Sequence, residues 1–186
     1  MHKIAVIYGS HREGRFCDVV GGWVLSQLAL ERDVEVDVLD PARLDLPQRF
    51  GERSPAVLRL QERLSAADAF LVVTPEYNRS FTAPLKAVID SASEAWHAKP
   101  VAFVSYGGIS GGLRAVEQLR LVFAELHAVT LRDTVSFSDA WDRFADGQPT
   151  DAPRAARAFR QMMARLKWWS TALKQAREQV PYADAA

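Results

Sequence analysis

The sequence predicts an α/β fold, a three-layer α/β/α sandwich built on a five-stranded parallel sheet. Three observations predict it. Short β-branched runs alternate with stretches of helical periodicity along the chain. The central run Phe70-Leu71-Val72-Val73 is apolar at every position, which is typical of a strand that helices cover on both faces. Loops rich in glycine and polar residues follow the strands on one side, where open α/β sheets bind their ligands.

Five segments have the composition of β-strands. We expect these strands at Lys3–Tyr8, Val34–Leu39, Ala69–Thr74, Val101–Ser105 and Ala128–Phe137. Because helical segments separate them, right-handed crossovers would join them into one parallel sheet. The expected strand order is 2-1-3-4-5, which places the topological switch point between strands one and three.

Apolar residues recur at helical spacing in the segments that follow the strands. These stripes run over Val20–Leu28, Leu58–Leu64, Pro84–Ile89, Leu113–Leu126 and Phe159–Leu173. Pro84 suits the first turn of its helix, and Asp151 and Pro153 are expected to open the last one. The polar segment before that helix, 139–153, is interpreted as a surface loop or a subunit contact.

Length and composition restrict the function classes. The 186 residues favour a single domain, 1–186. A formal net charge of zero argues against a nucleic-acid partner, and more weakly against a small acidic electron carrier. The single cysteine excludes an internal disulfide, and we expect no metal site. No apolar run approaches the roughly 18 residues of a membrane span, so we expect a cytoplasmic protein.

The first loop, Gly9–Arg15, follows a strand and opens a helix, where backbone N–H groups and the helix dipole attract a phosphate. Ser10 can donate a hydroxyl, and Arg12 and Arg15 can donate charged hydrogen bonds. The loop matches neither G-x-G-x-x-G nor G-x-x-x-x-G-K-[ST], so a monophosphate suits it better than a dinucleotide. A solvated turn with surface arginines explains the loop alone equally well.

Cys17 follows this loop, just inside the predicted helix. A helix N-terminus and nearby arginines can lower a thiol pKa and make it reactive. Because no second thiol or paired histidine is evident, a packed and inert thiol is the favoured interpretation.

Two further loops carry groups that suit a heterocycle. In the loop 74–84, Tyr77 offers a flat face and Asn78 offers both a donor and an acceptor. The alternative is that Asn78, Ser80 and Thr82 are only turn and cap residues. The loop 105–112 contains four glycines in six positions, which let its N–H groups approach a ligand closely. The alternative interpretation is that this loop is only a flexible connection and binds no ligand.

Several pieces of these loops and of the helices beside them stand together in one order and spacing. They are Gly9-Ser10-x-Arg12-x-Gly14-Arg15, Pro75-Glu76-Tyr77-Asn78-x-Ser80, Pro84-Leu85-Lys86, Ile89-Asp90, Ser105-Tyr106-Gly107-Gly108, Gly111-Gly112-x-Arg114-Ala115 and Gln118-Leu119-Arg120. With them the chain resembles the NADPH-dependent FMN reductase family of flavodoxin-like proteins. The resemblance covers residues 3–137 and implies the flavodoxin-like fold.

The resemblance also implies a site for FMN. Its residues would be Ser10, Arg12, Arg15, Phe16 and Cys17 around the phosphate, Pro75, Glu76, Tyr77 and Asn78 along the ribityl chain and isoalloxazine, and Ser105, Tyr106, Gly107 and Gly108 at the pyrimidine end. Many members of the family carry serine or threonine after the first arginine, where this chain has Arg15, Phe16 and Cys17. This difference affects which side chains would contact the phosphate.

The implied activity is hydride transfer from NADPH (or NADH) through FMN to a small acceptor such as free flavin or a quinone. No catalytic side chain is required, because the cofactor carries the chemistry. Donors from Gly107 and Gly108 would stabilise negative charge on the reduced ring. Arg79 and Arg114 are candidates for the phosphates of the nucleotide, and solvated arginines are as good an interpretation. The family implies a homodimer, sometimes a homotetramer.

Two alternatives belong to other classes. A flavodoxin-type electron-transfer protein would bind FMN without turning over pyridine nucleotide, and a scaffold or regulator would bind no flavin. Large aromatic residues at helix ends, Trp96, Trp141, Trp168 and Trp169, exceed what one small core needs and also favour oligomerisation. The simpler expectation for the last two is that one of Trp168 and Trp169 packs in the core and the other is partly exposed.

Overall fold

The computed structural model describes residues 1–47 and 54–185. Its main sheet is entirely parallel and has the order β2-β1-β3-β4-β5, as predicted. The strands are β1 His2–Tyr8, β2 Val34–Leu39, β3 Ala69–Pro75, β4 Pro100–Tyr106 and β5 Val129–Phe137. The helices are α1 Cys17–Leu28, α2 Pro55–Ala66, α3 Ala83–Asp90, α4 Leu113–Glu125 and α5 Ala152–Gln179.

Side-chain caps and first-turn prolines define where α2, α3 and α5 begin. The Ser54 and Thr82 hydroxyls accept from the N–H groups of Val57 and Leu85, and each cap is followed by a proline in the first turn. Asp151 caps α5 in the same way, as expected. The segment before α5 is more ordered than a simple loop, since it contains a short antiparallel pair, β6 Phe144–Ala145 and β7 Gln148–Pro149.

Two hydrophobic clusters fill the two faces of the sheet. One packs α1 and α5 against the sheet, and the other packs α2, α3 and α4 against the opposite face. Every residue of β3 and β4 is buried, which explains their continuous apolar sequences. Trp96 is fully buried, with its ring centroid 4.5 Å from that of Phe70 and 5.4 Å from that of Phe123.

The expectation for the tryptophan pair of α5 is wrong. Trp168 is 64% exposed and Trp169 is 37% exposed, so neither lies in the core. The buried stripe of this helix passes from Leu166 to Ser170, one turn later, and the two tryptophans lie beside it. Their rings contact each other edge to face, with centroids 5.0 Å apart.

The parallel sheet places the ends of β1, β3 and β4 at one edge. Gly9 donates its N–H to the Val73 carbonyl at 2.7 Å, and the Thr82 hydroxyl donates to the Gly9 carbonyl. A Cβ at Gly9 would lie 2.9 Å from the Thr74 backbone, so glycine permits this close approach. None of the helices in the described ranges is long and apolar enough to cross a membrane.

Candidate functional site

The structure brings the three predicted loops together at the carboxyl edge of the sheet. The Ser10 hydroxyl lies 3.2 Å from the Tyr77 hydroxyl, and the Arg12 guanidinium carbon lies 3.9 Å from the centre of the Tyr77 ring. Glu76 donates its N–H to the Tyr106 carbonyl at 3.2 Å. The loops after β1, β3 and β4 therefore form one continuous surface.

The β1–α1 loop presents a row of backbone donors. Over residues 1–47 and 54–185, no acceptor is paired with the N–H of Ser10, His11 or any of residues 13–17. The Arg12 N–H reaches only the Ser10 hydroxyl, at 3.4 Å. These donors lead into the N-terminus of α1, where the helix dipole adds positive charge. The loop can therefore accept an anion with several hydrogen bonds.

The two loop arginines have different surroundings. Arg12 is exposed and has no carboxylate partner among the residues described. The side chain of Arg15 is buried and forms a two-pronged ion pair with Asp40, with both nitrogen–oxygen distances at 2.7 Å. Its hydrogen bonds to Asp40 raise the pKa of Arg15. Burial opposes ionisation of Asp40, but the bonds from Arg15, the bond from the Ala42 N–H and the nearby positive charges together outweigh it and lower the Asp40 pKa.

Phe16 and Cys17 turn their side chains away from the loop. The ring of Phe16 packs beside those of Tyr106 and Phe144, at 5.9 and 5.6 Å. Cys17 is fully buried in the α1–α5 core, and this burial raises the pKa of its thiol to about 11. Among the described residues, the backbone N–H groups of Phe16 and Cys17 have no acceptor. The thiol has the environment of an inert core residue.

The segment after β3 forms a tight turn. The backbones of Tyr77 and Ser80 exchange two hydrogen bonds, at 2.9 and 3.0 Å. The two central residues, Asn78 and Arg79, are left-handed, with φ of 50° and 68°. Gln118 of α4 holds the turn, accepting from the Ser80 hydroxyl at 2.6 Å and donating to the Arg79 carbonyl at 2.7 Å. Asn78, Ser80 and Thr82 do serve as turn and cap residues here.

Glu76 connects this segment to the glycine-rich loop. Its carboxylate accepts from the Ser110 hydroxyl at 2.6 Å, and from the Arg114 N–H and guanidinium, both at 3.1 Å. Burial favours the neutral acid, but these donors outweigh it and lower the pKa of Glu76. The side chain of Glu76 therefore braces a loop, and Arg114 is partly neutralised.

The glycine-rich loop offers fewer donors than expected. Gly107 donates its N–H to the Phe137 carbonyl at 3.2 Å. Within the described ranges, the N–H groups of Gly108 and Ile109 have no acceptor, and a Cβ at Gly108 would meet open space. The donors that remain for a ligand are therefore shifted one residue along the loop.

Ser105 and Tyr106 are buried beneath this loop. The Ser105 hydroxyl donates to the Gly111 carbonyl at 2.8 Å, and burial raises the pKa of Tyr106. Gly112 is left-handed with φ of 83°, and its Cβ would lie 2.8 Å from that of Ser105. The loop can fold over Ser105 only with glycine at this position.

Two residues that organise the site had no role in the sequence analysis. Asp40 directly follows β2, and Gln118 lies on the exposed face of α4. Their sequence signals are weak: an acidic residue at the carboxyl end of a strand, and a glutamine inside a recognisable motif. Their contacts become visible only when β2 lies beside β1 and α4 lies beside the turn.

These features fit FMN. A phosphate would meet unpaired loop donors, the Ser10 hydroxyl and Arg12, and a ring would meet Tyr77 and the open face of Gly108. A parallel sheet of order 2-1-3-4-5 with such loops at its switch point defines a flavodoxin-like flavoprotein.

Comparison with known proteins supports the conclusion that the chain is a flavodoxin-like flavoprotein. The family described as NADPH-dependent FMN reductase matches residues 2–142, and the chain belongs to this family of oxidoreductases. A Saccharomyces cerevisiae protein named NAD(P)H-dependent FMN reductase is 30% identical over 139 residues, which are 64% of this chain and 72% of that protein. An NAD(P)H:quinone oxidoreductase of Solanum tuberosum is 35% identical over 141 residues, covering 68% and 71%.

A solved structure shares the fold over nearly the whole chain. It is a flavoenzyme NAD(P)H:(acceptor) oxidoreductase from Paracoccus denitrificans, with a TM-score of 0.73 and 28% sequence identity. The match covers 92% of this chain and 98% of that one, so it extends beyond the 2–142 range of the family match and includes at least part of α5.

Proposed function

We propose that this protein is an NAD(P)H-dependent oxidoreductase that binds FMN at the carboxyl ends of β1, β3 and β4 and passes hydride to a small acceptor. The observation that carries the proposal is the row of unpaired backbone donors in the β1–α1 loop, beside the exposed Arg12. Free flavin or a quinone is the proposed acceptor, in keeping with the names of the relatives.

The residues divide the task of holding FMN. The loop N–H groups, the Ser10 hydroxyl and Arg12 would bind the phosphate, while Tyr77 and Asn78 would line the ribityl chain and ring. Gly108 and Ile109 would donate to the pyrimidine end, where their N–H groups could stabilise negative charge. FMN, when bound, supplies the hydride acceptor and donor. No side chain of the site has to move a proton.

Two features favour an enzyme over a flavodoxin-type electron carrier. The chain has no net charge with which to steer toward an acidic or basic protein partner. Its relatives carry names of NAD(P)H-dependent enzymes. Arg79 lies on the exposed tip of its turn and remains the candidate for a nucleotide phosphate, whereas Arg114 is paired with Glu76.

The proposal includes one FMN-binding domain, 1–186, in a homodimer, with a homotetramer as the larger form, located in the cytoplasm. Exposed apolar side chains near the site support self-association. Ile109 is 84% exposed, Leu113 is 45% exposed, and Leu121 of α4 is 74% exposed. Light scattering on the flavin-loaded protein measures the oligomer directly.

An absorption spectrum and an anaerobic titration test the function. Purified protein, supplemented with FMN and desalted, should retain flavin absorbance, and NADPH or NADH should bleach it. Added quinone should restore the absorbance and sustain turnover. Retained flavin that neither nucleotide bleaches would support the electron-carrier alternative, and protein that retains no flavin would refute the site.

A further inference from the structure

Protein oxygens occupy most of the donors of the Arg15 guanidinium. Its Nε donates to Asp18 at 2.9 Å, its Nη1 donates to Asp40 and to the Ser10 carbonyl, and its Nη2 donates to Asp40. Nη2 also lies 2.8 Å from the Asp18 carboxylate. An arginine has five N–H donors, and four of them form hydrogen bonds to protein oxygens here. The remaining donor is on Nη2, beside the Asp18 carboxylate, so Arg15 has little capacity left for a phosphate.

The ion pair is buried and connects three segments. The side chains of Arg15 and Asp40 are 7% and 8% exposed, so water competes weakly for their charges. Asp40 also accepts from the Ala42 N–H at 2.9 Å, which fixes the carboxylate at the end of β2. Through Arg15, the end of β2 is joined to the first turn of α1 and to the phosphate loop.

The contact with Ser10 orients the first loop donors. In a trans peptide the carbonyl and the following N–H point in opposite directions. Because Arg15 holds the Ser10 carbonyl, the N–H of His11 points away from Arg15. The same bond fixes the residue whose hydroxyl meets the Tyr77 hydroxyl.

We infer that Arg15 and Asp40 are positioning residues for the flavin phosphate: they hold the loop in its donor-presenting shape, and Arg12 supplies the charge. The inference rests on the proposed function, since it concerns the same cofactor. It assigns to Arg15 a different role from the direct phosphate contact that its place in the loop suggests.

The two roles of Arg15 give opposite predictions for Asp40→Asn. If Arg15 bound the phosphate directly, losing the carboxylate would release its donors and remove a nearby negative charge, and FMN would bind equally or more tightly. If the pair positions the loop, Asp40→Asn should weaken FMN binding by at least about tenfold, the scale on which supporting residues act at other sites.

Flavin titrations test the inference, with fluorescence quenching as the readout. FMN and riboflavin are titrated into flavin-free wild type, Asp40→Asn and Arg15→Lys. Riboflavin lacks the phosphate, so we expect its affinity to change less than about threefold while FMN affinity falls at least about tenfold in both variants. Arg15→Lys keeps the charge but loses the forked donors. The control is Arg43→Ala, since Arg43 approaches Asp40 at 3.6 Å but is 88% exposed.

Each outcome decides a separate point. Wild type that does not bind FMN refutes the proposed function, and with it this inference, whereas the following outcomes concern the inference alone. FMN binding in Asp40→Asn at or above the wild-type affinity overturns the inference, and so does an equal loss for both flavins, which indicates general damage. If circular dichroism shows that Asp40→Asn is unfolded, Asp40→Glu replaces it, because it keeps the negative charge but displaces the carboxylate. FMN affinity at the wild-type level in Asp40→Glu overturns the inference, and a loss confined to FMN supports it.

Discussion

The contact between Gly21 and Tyr8 supports a sharp prediction, with a control one residue away. Gly21 lies on the buried face of α1, where a Cβ would lie 2.8 Å from the Tyr8 Cε1 and closer still to Cζ and Oη. The neighbouring Gly22 is exposed, and a Cβ there would meet nothing within 4 Å. Both glycines stand in the same helix, so their alanine variants differ mainly in this contact.

The structure allows a magnitude to be worked out. Alanine in place of a helical glycine favours folding by about 0.5–1 kcal/mol. Forcing a methyl group into a packed site costs about 1–3 kcal/mol. We therefore expect Gly22→Ala to stabilise the protein by about 0.5–1 kcal/mol, and Gly21→Ala to be less stable than Gly22→Ala by about 1–3 kcal/mol.

Urea unfolding, followed by circular dichroism, measures both free energies of unfolding. A third variant isolates the cause: Tyr8→Leu removes the ring, so Gly21→Ala should cost clearly less in that background. Stability of Gly21→Ala equal to that of Gly22→Ala would refute the reasoning. Tyr8 directly precedes Gly9 and its ring lies 5.5 Å from Arg15, so Gly21→Ala should also weaken FMN binding.

Three further predictions concern charge and backbone. Arg12→Ala should weaken FMN binding about 10–100-fold and leave riboflavin binding unchanged, and equal FMN affinity would contradict it. Arg79→Gly should raise the free energy of unfolding by up to about 1 kcal/mol, because glycine tolerates φ of 68°; urea denaturation that shows a loss would count against this. Burial lowers the pKa of Lys99 to about 8, so the unfolded chain binds more protons between pH 8 and about 10.4. Wild type should therefore gain stability relative to Lys99→Met between pH 7 and 9.5, and a constant difference would contradict this.

Hydrophobic patterning was sufficient to predict the fold. The predicted strands Ala69–Thr74 and Val101–Ser105 lie within β3 and β4, and each of these strands is buried along its full length. The predicted strand β2 has the observed bounds, Val34–Leu39. Alternation of strands and helices then leaves few chain paths, because parallel crossovers are right-handed. The burial expected for one of the α5 tryptophans was wrong, because periodicity alone does not show where a long helix stops covering the sheet.

The loops of the site were identified from the sequence, but the contacts of their side chains were not. Glu76 was expected along the cofactor, and its carboxylate instead binds Ser110 and Arg114. Gly107 was expected to donate to the ring, and its N–H instead pairs with Phe137 of β5. These partners lie at least 30 residues away along the chain, so no local pattern points to them.

By itself, the sequence determined the sheet, its strand order and the edge at which Ser10, Arg12 and Tyr77 meet. The reason is that hydrophobic periodicity depends on residues close together along the chain. Only the tertiary structure decided which loop arginine is available to an anion. Arg15 lies 25 residues from Asp40, and the two charges pair because β2 ends beside the loop that follows β1. The partner of a charged side chain depends on which strand ends are neighbours in space.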